Sequence, residues 1–172
     1  MNTLKIKAVP PGEIDSVLEV YHECEGFLAL GPDANASMQM VLRDMEEAAR
    51  EGGVFRGIYT EDRLAGVLSY VPGNFEGNPS HAFLTLLMII PSCRERRFGS
   101  RIVAMVEQEI LADSRITSIL SAVQVNNPRA LKFWERNDYR ISGGPEARTD
   151  GTTVFRLQKD FPAGNKKINQ KE

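Results

Sequence analysis

Residues 82–90 (AFLTLLMII) are an almost unbroken apolar run, and together with the basic turn and helical segment after them they restrict the fold more than any other part of the chain. A run of this length and composition, stopped by Pro91, fits a strand buried on both faces at the centre of a sheet. After a seven-residue turn, residues 98–111 place Ile102, Val103, Val106 and Ile110 on one stripe, with Arg101, Glu107 and Glu109 away from it. That is the pattern of an amphipathic helix. Residues 117–123 return to strand composition. Strand, helix and strand in this order predict a right-handed parallel crossover, because parallel neighbours need a long connection that packs back onto the sheet.

The flanking segments add a mixed sheet around that unit. Residues 4–9 alternate apolar side chains with Lys5 and Lys7, as an opening strand with one solvated face would, and Pro10 and Pro11 end it. Helical spacing recurs in 13–21 (Ile14, Val17, Leu18, Tyr21) and in 37–51 (Met38, Val41, Leu42, Met45, Ala49). The stretch between them carries Gly26, Gly31 and Pro32 and reads as a loop, and Gly52-Gly53 stops the second helix. Residues 54–60 and 64–71 predict an antiparallel hairpin around Glu61-Asp62-Arg63. Residues 72–80 read as a loop. A last helix over 127–137 begins at Asn127 and Pro128 and is expected to bury Ala130, Leu131, Phe133 and Trp134. Strands at 139–142 and 152–157 flank a Gly143-Gly144-Pro145 loop. The expectation is an α/β fold in one domain over 1–160, with a polar, frayed tail over 161–172.

Composition narrows the functions open to such a domain. A chain of 172 residues with 42% hydrophobic content buries about 70% of its unfolded surface and needs no disulfide or metal staple. Its 21 basic and 23 acidic residues leave a net charge of −2, which argues against gripping nucleic acid or an acidic membrane. Cys24, Cys93, His22 and His81 complete no metal-ligand spacing, so no metal is expected. No segment has the length of a signal peptide's apolar region or of a membrane span, and the reading is a cytoplasmic protein with reduced thiols.

The chemistry concentrates in residues 88–100, where the buried strand feeds a basic turn that opens a helix. The first N–H groups of a helix lack intrahelical acceptors and sit at the positive end of its dipole, so a turn carrying Arg94, Arg96 and Arg97 there suits an anion such as a pyrophosphate. Gly99 would let a ligand approach the backbone, and Ser100 could donate to an oxygen. A solvated basic loop before an ordinary helix fits the same residues. The glycine-rich signatures of triphosphate and dinucleotide sites, and the nucleophile elbow of hydrolases, are absent.

Two motifs resemble the GNAT superfamily of acyl-CoA-dependent N-acetyltransferases. Pro91, Arg94 and Gly99 match its Pro-x-x-[Arg/Gln]-x-x-Gly-x-[Gly/Ala] turn, with Arg97 in place of the middle glycine. Asn127, Ala130, Phe133 and Trp134 match its Asn-x-x-Ala-x-x-Phe-[Tyr/Trp] helix. The order of elements agrees as far as residue 157. The resemblance implies the GNAT fold, a mostly antiparallel sheet of about seven strands flanked by helices, and acetyl-CoA as co-substrate. The backbone of Leu87, Met88 and Ile89 would bind the pantetheine arm between two diverging strands. The turn made by Arg94, Glu95, Arg96, Arg97, Phe98, Gly99 and Ser100 would cradle the pyrophosphate. Asn127 would touch the pantetheine, with Phe133 and Trp134 near its thiol end; helix core and helix cap are the plain alternatives for these three.

The implied reaction is direct transfer of an acetyl group to a primary amine of a small molecule or peptide. Trp134 stands where many relatives carry a tyrosine that protonates the departing thiolate, a task an indole cannot perform. Glu25 and His81, with Glu23 and Glu76 beside them, are the candidate bases, and Thr85 is a candidate for facing the cleft. Residues 27–35 and 73–80 are expected to wall the acceptor site, where Glu23, Glu25 and Asp33 favour a cationic amine. The same departures, Arg97 and Trp134, also fit a catalytically inactive CoA-binding sensor. A homodimer, as in many relatives, would form through residues 152–157.

Overall fold

Alternation of Leu4 and Ile6 with lysines produces an edge strand, β1 (Leu4–Ala8), in the computed structural model, which describes residues 3–61, 63–94 and 97–162. Helix α1 (Ile14–Glu23) buries Val17, Val20 and Tyr21. A further short helix, α2 (Glu25–Leu28), lies where glycine had suggested only loop. In α3 (Met38–Arg50) the Ser37 side chain accepts from the Met40 N–H at 3.2 Å, a helix cap. Its buried stripe is Met40, Val41 and Ala48, whereas Leu42, expected inside, is 45% exposed. The hairpin β2 (Val54–Thr60) and β3 (Arg63–Val71) turns tightly, with Glu61 at φ 51°.

The apolar run becomes β4 (His81–Ile89), followed by α4 (Phe98–Leu111), β5 (Ser118–Gln124), α5 (Pro128–Arg136), β6 (Arg140–Ala147) and β7 (Thr153–Asp160). The seven strands form one sheet in the order β1-β2-β3-β4-β5-β7-β6. Every neighbouring pair is antiparallel except β4–β5, the pair joined by α4. One core lies on the α4 and α5 side, around Leu84, Ile102, Val106, Trp134 and Leu157. A second lies on the α1 and α3 side, around Val17, Tyr21, Val41, Met88 and Ile90.

Three sequence expectations change. Gly143-Gly144-Pro145 falls inside β6 as a pair of register irregularities, and the turn is at 148–152, closed by Arg148 N donating to Thr152 O at 2.7 Å. Glycine marks a bulge here rather than a loop. Strand β7, expected at a dimer interface, is paired on both edges by β5 and β6, so strand-to-strand self-association on this side would have to use β6. In α5 only Trp134 is buried; Ala130, Leu131 and Phe133 are half-buried. Of the expected tail, residues 163–172 lie outside the described residues.

Candidate active site

The central strand is not buried on both faces along its length. Ser69 pairs with Leu86 and Tyr70 with Leu84, so Thr85 is an extra residue in β4, a β-bulge, and its side chain is exposed. The parallel ladder to β5 runs from His81–Ser118 to Leu84–Ser121 and stops at that bulge. At the last rung Ser121 Oγ donates to Leu84 O at 2.9 Å. Beyond it the two strands continue to Ile89 and Gln124 without pairing to one another. Ile90 N donates to Ala65 O towards β3, at 2.9 Å. Successive residues of a strand point their N–H and C=O groups to opposite sides, so Met88 also addresses β3, while Leu87 and Ile89 address the gap. Of the three residues expected to offer main-chain groups to a ligand, two face the gap and Met88 does not. A narrow apolar crevice of about 10 Å³ runs beside the gap between Leu84, Leu86 and Leu87 of β4, Ile102, Val103 and Val106 of α4, and Trp134.

The turn after β4 divides its arginines between two tasks. Pro91–Cys93 forms a single 3-10 turn. Arg94 folds back: its Nε donates to Ile89 O at 2.7 Å and an Nη lies 3.7 Å from Cys24 Sγ. Burial pushes the Cys24 thiol above its ordinary pKa even with this guanidinium beside it. Arg94, expected at the pyrophosphate, thus links the end of β4 to Cys24 at the C-terminal cap of α1. Arg97 is exposed and sits at the mouth of α4 with φ 60°, ψ 24°, the left-handed conformation that glycine adopts most cheaply. The first bond of α4 from its cap runs from Arg101 N to Arg97 O, which leaves the N–H groups of Phe98, Gly99 and Ser100 ahead of it at the positive helix end. Gly99 is buried, and a Cβ there would meet Phe133 Cε2 at 2.9 Å, so its small size serves packing of α4 against α5. Glu95 and Arg96 lie outside the described residues.

On α5, Asn127 Oδ1 accepts from the Ala130 N–H at 3.0 Å, so the carboxamide oxygen caps the helix. Trp134 is 7% exposed, edge-on to Phe133 (5.3 Å between centroids) and Tyr139 (4.9 Å). Tyr139 in turn donates to buried Glu107 at 3.1 Å, and Glu107 meets Lys159 Nζ at 3.0 Å.

The expected bases are not gathered at the gap. Glu25 Oε1 accepts from Ala36 N at 3.0 Å and lies 2.9 Å from His22 Nδ1, contacts that hold its carboxyl below the ordinary range and brace the loop between α2 and α3. His81 starts β4, about 16 Å of strand away from Leu86, and its Nε2 lies 3.3 Å from Asn78 Nδ2. Glu76 is held bidentately by Arg156 at 3.0 Å, which draws its pKa down, and Glu23 pairs with Arg63 at 3.4 Å. Among the described residues no cluster of three or more His, Cys, Asp or Glu could hold a metal ion, and no helix is long and apolar enough to cross a membrane.

Residues 14–139 match the family model described as acetyltransferase (GNAT) family. The chain belongs to the GNAT acetyltransferase family. Its fold is similar to an acetyltransferase from Thermus thermophilus (TM-score 0.74, 19% identity, 94% of this chain and 100% of that one). It is likewise similar to RimL, a ribosomal L7/L12 alpha-N-protein acetyltransferase solved with coenzyme A (TM-score 0.73, 15% identity, 94% and 96%). A third is the spermidine N-acetyltransferase from Vibrio cholerae solved with CoA and spermine (TM-score 0.68, 12% identity, 91% and 95%). No curated protein sequence matches the chain significantly.

Within this GNAT domain one cavity joins segments that sequence reasoning did not place together. About 340 Å³ in volume, it lies between residues 30–32, 125–126 and 150–153. The first segment lies within 27–35, one of the two stretches expected to wall an acceptor site, and the other walls are the exit of β5 and the β6–β7 turn. The polar turn Thr149-Asp150-Gly151-Thr152 was the available signal, and only the sheet order, which sets β7 beside β5, brings it here.

Proposed function

We propose that this GNAT acetyltransferase transfers the acetyl group of acetyl-CoA directly to a primary amine of a small molecule or peptide. The observation that carries the reading is the parting of β4 from β5 at Thr85, next to the N-terminus of α4. An unpaired strand edge invites an extended amide-bearing arm, since its main-chain donors and acceptors otherwise go unanswered. Leu87 would supply N–H and C=O, and Ile89 its N–H, because the Ile89 carbonyl is already taken by Arg94. The phosphates would sit on the N–H groups of Phe98, Gly99 and Ser100, with the exposed Arg97 guanidinium as their counter-charge. Arg94 would keep the strand end in place for both.

Acetyl-CoA supplies an activated thioester. A main-chain N–H facing the gap, from Leu87 or Ile89, would polarise the thioester carbonyl as negative charge gathers on its oxygen. Trp134 would form the apolar wall near the thiol, without a proton to give. The contacts of Glu25 favour a bracing role in the acceptor wall over proton transfer.

The test is a calorimetric titration with acetyl-CoA, CoA and ATP at one ionic strength, followed by thiol release over a panel of amines. Acetyl-CoA should bind far more tightly than ATP and be consumed only when an amine is present. Failure of acetyl-CoA to bind overturns the reading.

A further inference from the structure

The bulge in β4 decides where the narrow crevice beside the gap lies. Residues two apart in a strand share a face, but the extra residue at Thr85 breaks that alternation: Leu84 and Leu87 pack into the core on the α4 and α5 side, and Leu86 into the core on the α1 and α3 side. Leu86 and Leu87 both line the crevice all the same, so it passes through the plane of the sheet where β5 has left β4 unpaired. Its far side is closed by Ile102 and Val106 of α4 and by the Trp134 indole. About 10 Å³ stays open between these apolar side chains. That is close to the least volume that admits one water, and gives room for about one methyl group.

The indole is braced from both flanks. It stands edge-on to Phe133 at 5.3 Å and to Tyr139 at 4.9 Å between ring centroids. The Tyr139 hydroxyl donates to buried Glu107 at 3.1 Å, and Glu107 meets Lys159 Nζ at 3.0 Å. Moving Tyr139 would take a donor from a buried carboxylate, which is costly. Phe133 in turn lies over Gly99, where an added Cβ would come within 2.9 Å of its Cε2. A wall packed in this way yields little to a larger guest.

Resting on the acetyl-transfer reading above, we propose that this crevice receives the acyl group of the thioester and that Trp134 sets its length, admitting the two-carbon acetyl group and excluding chains of four carbons or more. A thioester carbonyl met by the Leu87 N–H in the gap lies beside the crevice that Leu87 itself lines. The acyl chain is the one end of the donor without polar atoms, so it is the part that an apolar lining suits. Truncating the indole would leave an apolar void there, and voids of that kind take apolar guests.

The test titrates acetyl-CoA and butanoyl-CoA by calorimetry and compares their kcat/KM with one amine from the panel. Three proteins are used: the unchanged chain, Trp134→Leu, and Val106→Ala, which opens the crevice from the opposite wall and leaves the indole and its braces in place. The unchanged chain should favour acetyl-CoA by about tenfold in Kd and about 100-fold in kcat/KM. Each variant should reduce that preference by about tenfold in kcat/KM. The ratio of the two thioesters is the readout, because a loss of folded protein lowers the turnover of both alike and leaves it unmoved. Equal Kd values on the unchanged chain, or a preference that survives both variants, would overturn the chain-length assignment and leave acetyl transfer standing. Absence of acetyl-CoA binding in the unchanged chain would instead overturn the reading beneath it.

Discussion

Arg97 carries the sharpest conflict between a residue and its conformation. It stands where the motif it resembles has its middle glycine, and it adopts a left-handed backbone, φ 60°. For a residue with a Cβ this costs about 1 kcal/mol. Replacing it tests charge and backbone separately: Arg97→Gly and Arg97→Ala both lose the guanidinium, but only alanine retains the backbone cost. The glycine variant should be more stable than the alanine variant by about 1 kcal/mol in urea unfolding. Both should weaken acetyl-CoA binding alike and flatten its dependence on salt. Arg94 has a contact within the chain that sequence alone does not reveal. The motif marks it as a pyrophosphate ligand, and the structure spends its Nε on the Ile89 carbonyl, because the 3-10 turn at Pro91–Cys93 brings the chain back beneath the strand end.

At the scale of elements the site depends on how closely β3 can approach β4. Gly66 is opposite Ile89, and a Cβ at Gly66 would collide with the Met88 carbonyl oxygen. Since that obstacle is backbone, no rotamer change relieves it. Gly66→Ala should cost about 3 kcal/mol in chemical denaturation and raise the KM for acetyl-CoA, since the displaced strand is the one proposed to bind it. Gly57→Ala would press only on the Tyr59 ring and a Leu64 methyl, side-chain atoms that can move, and provides the milder control. The elements themselves were legible: α4 begins and ends where its stripe predicts, and β5 and α5 are displaced by a residue at each boundary. The bulge at Thr85 was not, because a threonine in a strand reads as ordinary strand material and an extra residue shows only in the pairing.

Across the whole molecule two polar networks join segments distant in sequence. Glu107 of α4, Lys159 of β7 and Tyr139 after α5 meet at 3.0 and 3.1 Å, with Glu107 buried. Removing one member of such a pair strands the other's charge. Lys159→Met should destabilise the fold by about 3 kcal/mol, and adding Glu107→Met should restore most of that loss in thermal unfolding. Asp160 ties β5, β6 and β7 through Ser118, Arg140 and Gln158. Hydrogen bonds from Gln158, Ser118 and Arg140 hold its carboxyl down at about 2, against an ordinary value of 3.8. A depressed carboxyl contributes stability that is complete above its unfolded pKa and is lost as pH falls through the folded one. The fold should therefore weaken between about pH 4 and pH 2, and Asp160→Asn should flatten that limb when urea midpoints are compared across the range. Asp44 acts in the opposite sense: burial raises its pKa, so its protonation favours the folded chain.

The sequence by itself determined the run of elements, the parallel crossover around α4 and the two motifs that identify the family, since each rests on periodicity or spacing within a short stretch of chain. Tertiary structure decided the rest. The gap between β4 and β5 exists because pairing ends at Leu84–Ser121, the division of labour between Arg94 and Arg97 follows from how one turn folds back, and the cavity exists because sheet order sets residue 150 near residue 30. Hydrophobic period fixes which side of an element is buried, but a cleft is made of partners that are missing and neighbours that are distant in sequence, and local patterning encodes neither.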